Sequence, residues 1–225
     1  SKQEYSRNSA KSSSLPDLRK YPSGTPRKKA FLRTVMPYIT SQNAAITAER
    51  NWLISKQYQG QWSPAERARL KDIAKRYKVK WSGNTRKIPW NTLLERVDII
   101  PTSMVATMAA AESGWGTSKL ARNNNNLFGM KCMKGRCTNA PGKVKGYSQF
   151  SSVKESVSAY VTNLNTHPAY SSFRKSRAQL RKADQEVTAT AMIHKLKGYS
   201  TKGKSYNNYL FAMYQDNQRL IAAHM

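Results

Sequence analysis

The sequence predicts a mainly α-helical (α+β) fold that contains one small β-hairpin. Apolar residues recur at the three- and four-residue spacing of an amphipathic helix through most of the chain after residue 27. Only the segment 127–150 departs from this spacing, and its glycines and β-tolerant residues favour a hairpin. No run of about 18 apolar residues occurs, so no membrane-spanning helix is predicted.

Changes in composition predict three regions. Residues 1–26 are rich in Ser, Lys and Pro and poor in apolar residues, which is typical of a disordered basic tether. Residues 27–90 are predicted to form an N-terminal helical appendage. Residues 91–225 are predicted to form the domain that carries the chemistry.

Three helices are expected in the appendage. The first carries a short apolar face from Phe31 to Met36 and ends at Pro37, because proline disrupts a helix interior. The second extends from about residue 44 to Gly60. The third begins at Ser63-Pro-Ala-Glu66, which supplies the N-cap, the N1 proline and the N3 acid of a capping box.

A buried central helix is predicted from Thr102 onward. Thr102 or Ser103 can cap its first turn, and the residues that follow, 104–111, are apolar nearly all round. Glu112 is the one charge in this helix, and Gly114 can end it in a left-handed conformation.

Glu112 is the candidate for acid chemistry. It shares its helical stripe with apolar residues and lies near the negative end of the helix dipole. Both effects favour the neutral acid, and a protonated carboxylic acid is what a glycosidic leaving oxygen needs. The alternative is a solvated glutamate at the rim of a helix end, without a chemical role.

Cys132 and Cys137 flank a Met-Lys-Gly-Arg turn at the tip of the expected hairpin. A disulfide between them would stabilise the protein by about 2 kcal/mol and would indicate an oxidising compartment such as the periplasm. Free thiols in a reducing cytosol are the alternative. A zinc site is not favoured, because no second pair of Cys or His ligands lies nearby.

Further helices are expected in the C-terminal part. Ser152-Val-Lys-Glu155 reads as another capping box, and later helices are predicted at about 175–182, 185–197 and 204–223. His167 and His194 lack metal-ligand companions. The sequence therefore predicts no metal and no cofactor.

Four ordered blocks of sequence carry a family resemblance. They are Ala110–Ser118, Asn126–Lys131, Tyr147–Ser156 and Gly198–Tyr206. Together they resemble the glucosaminidase family of peptidoglycan hydrolases, glycoside hydrolase family 73, and within it the chain looks most similar to the Bax-type proteins of enterobacteria. The resemblance covers roughly Asn91 to the C-terminus and implies that this region is a lysozyme-like glucosaminidase domain.

The resemblance also implies the site residues. Glu112 matches the catalytic acid of the family, and Tyr199 matches a functional tyrosine. Substrate contacts are implied for a second set: Ser113, Asn126, Phe128 and Tyr206. Trp115, which follows the acid, is expected to hold the Glu112 loop rather than to bind the ligand.

A second carboxylate is difficult to find. No acidic residue occurs between Ser113 and Lys154, Asp98 precedes the central helix, and Glu155 has a capping role. Two-carboxylate glycoside hydrolysis needs a second acid near the first. A mechanism with Glu112 alone is therefore expected, assisted by the 2-acetamido group of the substrate or by Tyr199.

The charge of the chain bears on its partners. Lys and Arg total 39 against 12 Asp and Glu, a formal net charge of +27, which predicts attraction to polyanions. No single basic helix is typical of nucleic-acid recognition, so an anionic cell wall or membrane surface is the expected partner. Since the chain begins at Ser1 rather than Met, we expect that a secretion signal has been removed. Together with the expected disulfide, this predicts a periplasmic protein, which we expect to be a monomer.

The predicted function is a peptidoglycan endo-β-N-acetylglucosaminidase. Two alternatives stay open at this point. A lytic transglycosylase or muramidase also uses a single glutamate on a buried helix. A non-catalytic basic protein that binds the wall as a polyanion would explain the charge without requiring a second acid.

Overall fold

The computed structural model describes residues 15–133, 135, 137, 140–196 and 203–225. Within these residues the chain forms nine α-helices and three single-turn 3-10 helices. The α-helices are α1 (Thr25–Lys56), α2 (Pro64–Arg76), α3 (Trp90–Arg96), α4 (Thr102–Ser113), α5 (Lys119–Asn124), α6 (Val153–Thr166), α7 (Ser171–Lys182), α8 (Ala189–Met192) and α9 (Lys204–Ala222). The 3-10 helices are Leu18–Lys20, Pro168–Tyr170 and Ile193–Lys195. The predicted mainly α-helical fold is confirmed.

The chain divides by its contacts into two compact units. The first contains the described residues of Ser1–Gln42, Thr102–Val161 and Asn208–Met225. The second contains those of Asn43–Pro101 and Thr162–Asn207. Both units combine segments from the two sides of residue 90, and the division into appendage and domain at that residue stays a prediction.

Part of the predicted tether is packed. Leu18 is fully buried in the first unit, and the Arg27 guanidinium donates hydrogen bonds to the backbone carbonyls of Leu18 (3.1 Å) and Tyr21 (3.0 Å). Residues 1–14 of the predicted tether lie outside the described residues.

The predicted helix end at Pro37 is wrong, because α1 continues through that residue to Lys56. Buried residues occur before and after the proline at helical spacing, so burial of one continuous face outweighs the lost backbone donor. Hydroxyl groups near the proline bond to carbonyls one turn back: Thr34 donates to Ala30 (3.1 Å), and Thr40 donates to Met36. The buried apolar residues of α1 are Ala30, Phe31, Leu32, Val35, Met36, Ile39, Ile46 and Leu53.

Helix α4 confirms the predicted central helix. Its residues 104–110 are buried without interruption, and three of these seven residues are alanines, whose small side chains let neighbouring segments approach closely. Gly114 follows with φ +54, the predicted left-handed C-cap.

The predicted hairpin over 127–150 is wrong. Among the described residues of this segment, the only β-structure is one isolated antiparallel bridge between Lys131 and Tyr147. Two backbone hydrogen bonds flank this bridge, and side chains hold much of the rest of the segment. Asn124 Nδ2 donates to the carbonyls of Val144 (3.1 Å) and Ser148 (3.3 Å), and its Oδ1 accepts from the Val144 N–H (2.8 Å).

The predicted disulfide between Cys132 and Cys137 is confirmed. Their Cα atoms are 5.3 Å apart, and both cysteines are exposed. The bond closes the turn that the sequence indicated around Gly135, which has φ +78.

The second unit has its own apolar core. Leu53 from α1, Leu70 and Ile73 from α2, and Leu93 from α3 are each at most 1% exposed. Partly buried aromatic residues pack against this core: Trp52, Trp62, Trp81 and Trp90. The predicted capping box of α2 is present, since the Glu66 N–H donates to the Ser63 hydroxyl and the Ser63 N–H donates to the Glu66 carboxylate.

None of the helices in the described part of the chain is both long and apolar enough to cross a membrane.

Candidate active site

The turn after α4 presents Glu112. Three consecutive residues, Gly114, Trp115 and Gly116, have φ values of +54, +55 and +81. The Trp115 N–H donates to the Ala110 carbonyl at 2.9 Å, which closes the helix end as a left-handed capping motif. Glu112 therefore lies in the last turn of a buried helix, directly before a tightly wound loop.

Ser113 holds this turn from the inside. Its side chain is fully buried. The hydroxyl donates to the Ala109 carbonyl (2.6 Å) and accepts from the Gly116 N–H (2.9 Å). Both hydrogen-bonding functions of the hydroxyl are therefore used within the protein.

The Glu112 carboxylate lies against the loop that follows α5. Glu112 itself is half-buried. A Cβ atom built on Gly129 would lie 3.1 Å from Glu112 Oε2, and Gly129 has φ +66. The absence of a side chain at residue 129 is what leaves room for the carboxylate.

Asn126 shapes the loop that carries Gly129. The Asn126 side chain is 1% exposed. Its Nδ2 donates to the carbonyls of Met130 (2.8 Å) and Ser148 (3.0 Å), and its Oδ1 accepts from the N–H groups of Phe128 (3.3 Å) and Met130 (3.1 Å). Because the amide has two donors and two lone pairs, its capacity is filled by the protein.

Phe128 packs in the same unit. It is 3% exposed, and its ring stacks on Tyr160 of α6 with centroids 4.2 Å apart and planes 5° from parallel. The Tyr160 hydroxyl donates to Met108 Sδ on α4 at 3.7 Å. The stack therefore links the Gly129 loop to the helix that bears Glu112.

The two tyrosines predicted for the site are located differently. Tyr206 is half-buried in the first turn of α9 and belongs to the second unit. Tyr199 lies outside the described residues. The structure thus brings Glu112, Ser113, Asn126 and Phe128 together in the first unit, and the role of Tyr199 stays a prediction.

Asp98, one candidate for a second acid, is the anchor of an arginine cluster in the second unit. Its side chain is 2% exposed, and the Arg181 guanidinium donates to both carboxylate oxygens at 2.9 and 2.7 Å. Arg50 and Arg177 lie 3.5 and 3.9 Å from the carboxylate. Burial opposes the charged form, but the Arg181 hydrogen bonds and the charges of Arg177 and Arg50 outweigh it and lower the pKa of Asp98. Asp98 is therefore held as a carboxylate with a structural role.

Glu155, the next candidate, is used at the start of α6. Its carboxylate accepts from the Ser151 N–H at 2.7 Å, and its own N–H donates to the Ser152 hydroxyl at 3.1 Å. The serine half of the predicted capping box is confirmed, and the Glu155 carboxylate also bonds to Ser151.

Sequence reasoning missed two residues that position the site. Gly129 contacts the acid, and Ser148 is fully buried with its hydroxyl donating to the Lys131 carbonyl (2.8 Å) and accepting from the Met133 N–H (3.0 Å). A glycine directly after Asn-Leu-Phe was the available signal for Gly129, since a left-handed turn there favours glycine. Ser148 had no local signal. No group of three or more His, Cys, Asp or Glu side chains is arranged to hold a metal ion within the described ranges.

One comparison with known proteins identifies the family. The model of the glucosaminidase family, described as mannosyl-glycoprotein endo-beta-N-acetylglucosaminidase, matches residues 89–219. No solved structure matches the chain at a significant level. The match covers more than half of the chain and includes Glu112 and the Gly129 loop. The chain therefore belongs to the glucosaminidase family and is a glycoside hydrolase that acts on glycans.

Proposed function

We propose that this hydrolase is an endo-β-N-acetylglucosaminidase that cuts the glycan strand of peptidoglycan, with Glu112 as its general acid. The observation that carries the proposal is the location of Glu112. Its carboxylate lies at the end of a buried helix, against the side-chain-free backbone of Gly129. A carboxyl group held in this way can donate a proton in a fixed direction.

The reaction needs only one protein carboxyl group. Glu112 donates its proton to the glycosidic oxygen as the bond from that oxygen to C1 breaks, and the leaving sugar departs as an alcohol. The carbonyl oxygen of the substrate's 2-acetamido group bonds to C1 and stabilises the developing positive charge. The Glu112 carboxylate then takes a proton from the water that attacks C1. As the new bond forms, the bond between C1 and the acetamido oxygen breaks, which restores the 2-acetamido group, leaves a reducing-end N-acetylglucosamine and regenerates the acid.

Tyr199 is the alternative group for the second role. A phenol beside C1 can stabilise the developing charge in place of the acetamido oxygen. The support for Tyr199 is the resemblance of the block Gly198–Tyr206 to the family. If Tyr199 has this role, Tyr199→Phe should strongly lower kcat.

The other predicted site residues divide by exposure. Ser113, Asn126 and Phe128 are each at most 3% exposed, and we assign them the shaping of the Glu112 surroundings rather than direct bonds to the sugar. Tyr206 is half-buried and keeps the proposed role of a substrate contact.

The periplasm is the proposed compartment. The Cys132–Cys137 disulfide favours an oxidising environment. The net charge of +27 favours retention on a wall that carries carboxylates.

Digestion of purified peptidoglycan tests the proposal. Wild type, Glu112→Gln and the control Glu186→Gln, an exposed glutamate, are incubated with peptidoglycan, and the released fragments are identified by mass spectrometry. We expect wild type and Glu186→Gln to release fragments with reducing-end N-acetylglucosamine, and Glu112→Gln to be slower by roughly 10²–10⁴-fold.

Each other result has a definite meaning. Full activity of Glu112→Gln refutes the assignment of the acid. Fragments that end in anhydro-muramic acid identify a lytic transglycosylase. Salt-sensitive binding of wild type to the wall without any release of fragments identifies a non-catalytic polyanion-binding protein.

A further inference from the structure

The loop that follows Glu112 is held by a segment near the N-terminus. Leu18 and Phe31 lie so close to Gly116 that a Cβ atom built there would collide with Leu18 Cδ1 and would meet Phe31 Cδ2 at 3.1 Å. The rings of Phe31 and Trp115 form an edge-to-face pair, with centroids 5.6 Å apart and planes at 82°. Helix α1 therefore packs directly on the loop.

A cation completes this contact. Lys28 Nζ lies 5.0 Å from the centroid of the Trp115 ring, within the range of a cation–π interaction. The same ammonium group donates a hydrogen bond to Asn217 Oδ1 of α9 at 2.9 Å. Asn217 is 7% exposed and donates in turn to the Met213 carbonyl at 2.8 Å. Lys28 thus joins the indole of Trp115 to α9.

The conformation of Trp115 requires such support. A bulky residue with a φ of +55 is uncommon, because its Cβ crowds the following carbonyl. It persists where the surrounding structure holds it. The residues that hold it here, Leu18, Lys28 and Phe31, all precede residue 89, where the match to the family begins.

We propose that Lys28 and Phe31 are positioning residues for catalysis, acting through Trp115 to fix the direction of the Glu112 carboxylate. The proposal rests on the proposed function of Glu112. It adds that two residues of α1, Lys28 and Phe31, support the turn that carries the acid although they lie outside the family match. Trp115 is three residues from Glu112, so a shift of its ring moves the turn in which the acid lies. A misplacement of about 1 Å can cost up to about 10²-fold in rate.

Five variants in the full chain test the proposal, one of them the conservative Lys28→Arg. Phe31→Ala removes the aromatic ring, and Lys28→Met removes the cation while keeping most of the length of the side chain. Trp115→Phe keeps an aromatic ring, whereas Trp115→Gly relieves the left-handed backbone and removes the ring. The rates are measured with a soluble glycan fragment at temperatures well below each unfolding midpoint.

The proposal predicts losses in kcat with little change in KM. We expect kcat to fall about ten-fold for Phe31→Ala and for Trp115→Gly, and about three-fold for Lys28→Met. Trp115→Phe and the conservative variant Lys28→Arg should keep most of kcat. Trp115→Gly discriminates best between two roles of this residue. If residue 115 served only to adopt the left-handed backbone conformation, glycine would be as active as tryptophan, whereas loss of the ring contacts should lower kcat.

Two control variants separate positioning from stability. Lys29→Met makes the same charge change at the next, exposed residue of α1, and should leave kcat unchanged. Ile46→Ala removes a buried side chain from the same helix in the second unit, and should lower the unfolding midpoint without lowering kcat.

The results distinguish this proposal from the proposed function. Loss of activity in Glu112→Gln together with wild-type kcat in Phe31→Ala and Trp115→Gly overturns the positioning role and leaves Glu112 as the acid. Equal losses of kcat in Ile46→Ala and Phe31→Ala also overturn it. Full activity in Glu112→Gln overturns the proposed function itself.

Discussion

The carboxylate of Glu112 and the backbone of Gly129 are in contact, with only 3.1 Å between Oε2 and a Cβ atom built on the glycine. Gly129 also has φ +66, a conformation that favours glycine over other residues. Two independent features, the close approach of the carboxylate and the left-handed backbone, therefore favour glycine beside the acid. This makes Gly129 a direct probe of how the position of the carboxylate affects catalysis.

Gly129→Ala is expected to lower kcat by roughly ten-fold or more, because the added methyl group displaces the Glu112 carboxylate. The left-handed backbone should also cost about 1–2 kcal/mol of stability. Steady-state kinetics and thermal unfolding measure the two effects separately.

Gly142→Ala is the matched control for this variant. Gly142 has φ +82, and a Cβ atom built on it would meet nothing within 4 Å. The backbone cost should be similar and the carboxylate undisturbed. Equal losses of kcat in the two variants would contradict the role assigned to the contact.

The parts of the site that the sequence predicted are local in the chain. The end of α4, the left-handed Gly114 and the location of Glu112 all follow from helical periodicity and capping signals within a few residues. Gly129 and Phe31 contact the acid and its loop from other segments. Such contacts depend on tertiary packing, and one sequence contains no local pattern that reports them.

Asp98→Asn should destabilise the second unit by about 3–5 kcal/mol, because it leaves buried arginines without their counter-charge. Arg177 is fully buried, and its Nη1 also donates to the Ile99 carbonyl at 2.9 Å. Asp72→Asn is the control, since its pair with Arg76 is exposed and should contribute less than about 1 kcal/mol. Denaturant unfolding measures the difference, and equal effects would contradict the structural role of Asp98.

The stability of the protein should also depend on pH through Asp98. Its pKa in the folded protein is lowered below its ordinary value of 3.8, so the folded state binds a proton less readily than the unfolded state. The stabilisation is fully present above about pH 4 and is lost as the pH falls through the lower folded value. The free energy of unfolding, measured from pH 6 to pH 2, should therefore decrease less steeply at the acid end in Asp98→Asn than in wild type.

Pro37→Ala should raise stability. Pro37 is exposed in the interior of α1, where proline is about 3 kcal/mol less favourable than alanine. Part of this gain is offset by the greater freedom of the unfolded chain, so we expect a net gain of about 1–2 kcal/mol. Pro64→Ala is the control, because Pro64 occupies the first turn of α2, where proline is favourable. A loss of stability in Pro37→Ala would show that α1 is adapted to the proline.

The fold prediction was wrong at two places, Pro37 in helix α1 and the segment 127–150. Local rules placed a helix end at Pro37, but a continuous buried face overrides the cost of one proline. In the second case, glycines and β-tolerant residues indicated a hairpin. Beyond the single bridge, the side chains of buried Asn124, Asn126 and Ser148 bond to backbone groups that a longer strand ladder would pair. Side chains that bond to distant backbone groups leave no periodic pattern in a sequence.

The Cys132–Cys137 disulfide can be tested by counting thiols. The native protein should show no titratable thiols, and two after reduction and unfolding, because the chain has two cysteines and they are bonded to each other. The double variant Cys132→Ser/Cys137→Ser should lose about 2 kcal/mol of stability, since the loop is short.

Loss of the disulfide should also affect catalysis, though weakly. Cys132 is three residues after Gly129, and its N–H donates to the Gly146 carbonyl at 3.1 Å, so the loop beside Glu112 stays attached without the bond. We therefore expect kcat to fall no more than about three-fold in the double variant, with the asparagine and serine hydrogen bonds still in place. A ten-fold loss would mean that the disulfide itself fixes the Gly129 loop. Two thiols in the native protein purified from its own host would instead contradict both the bond and the proposed oxidising compartment.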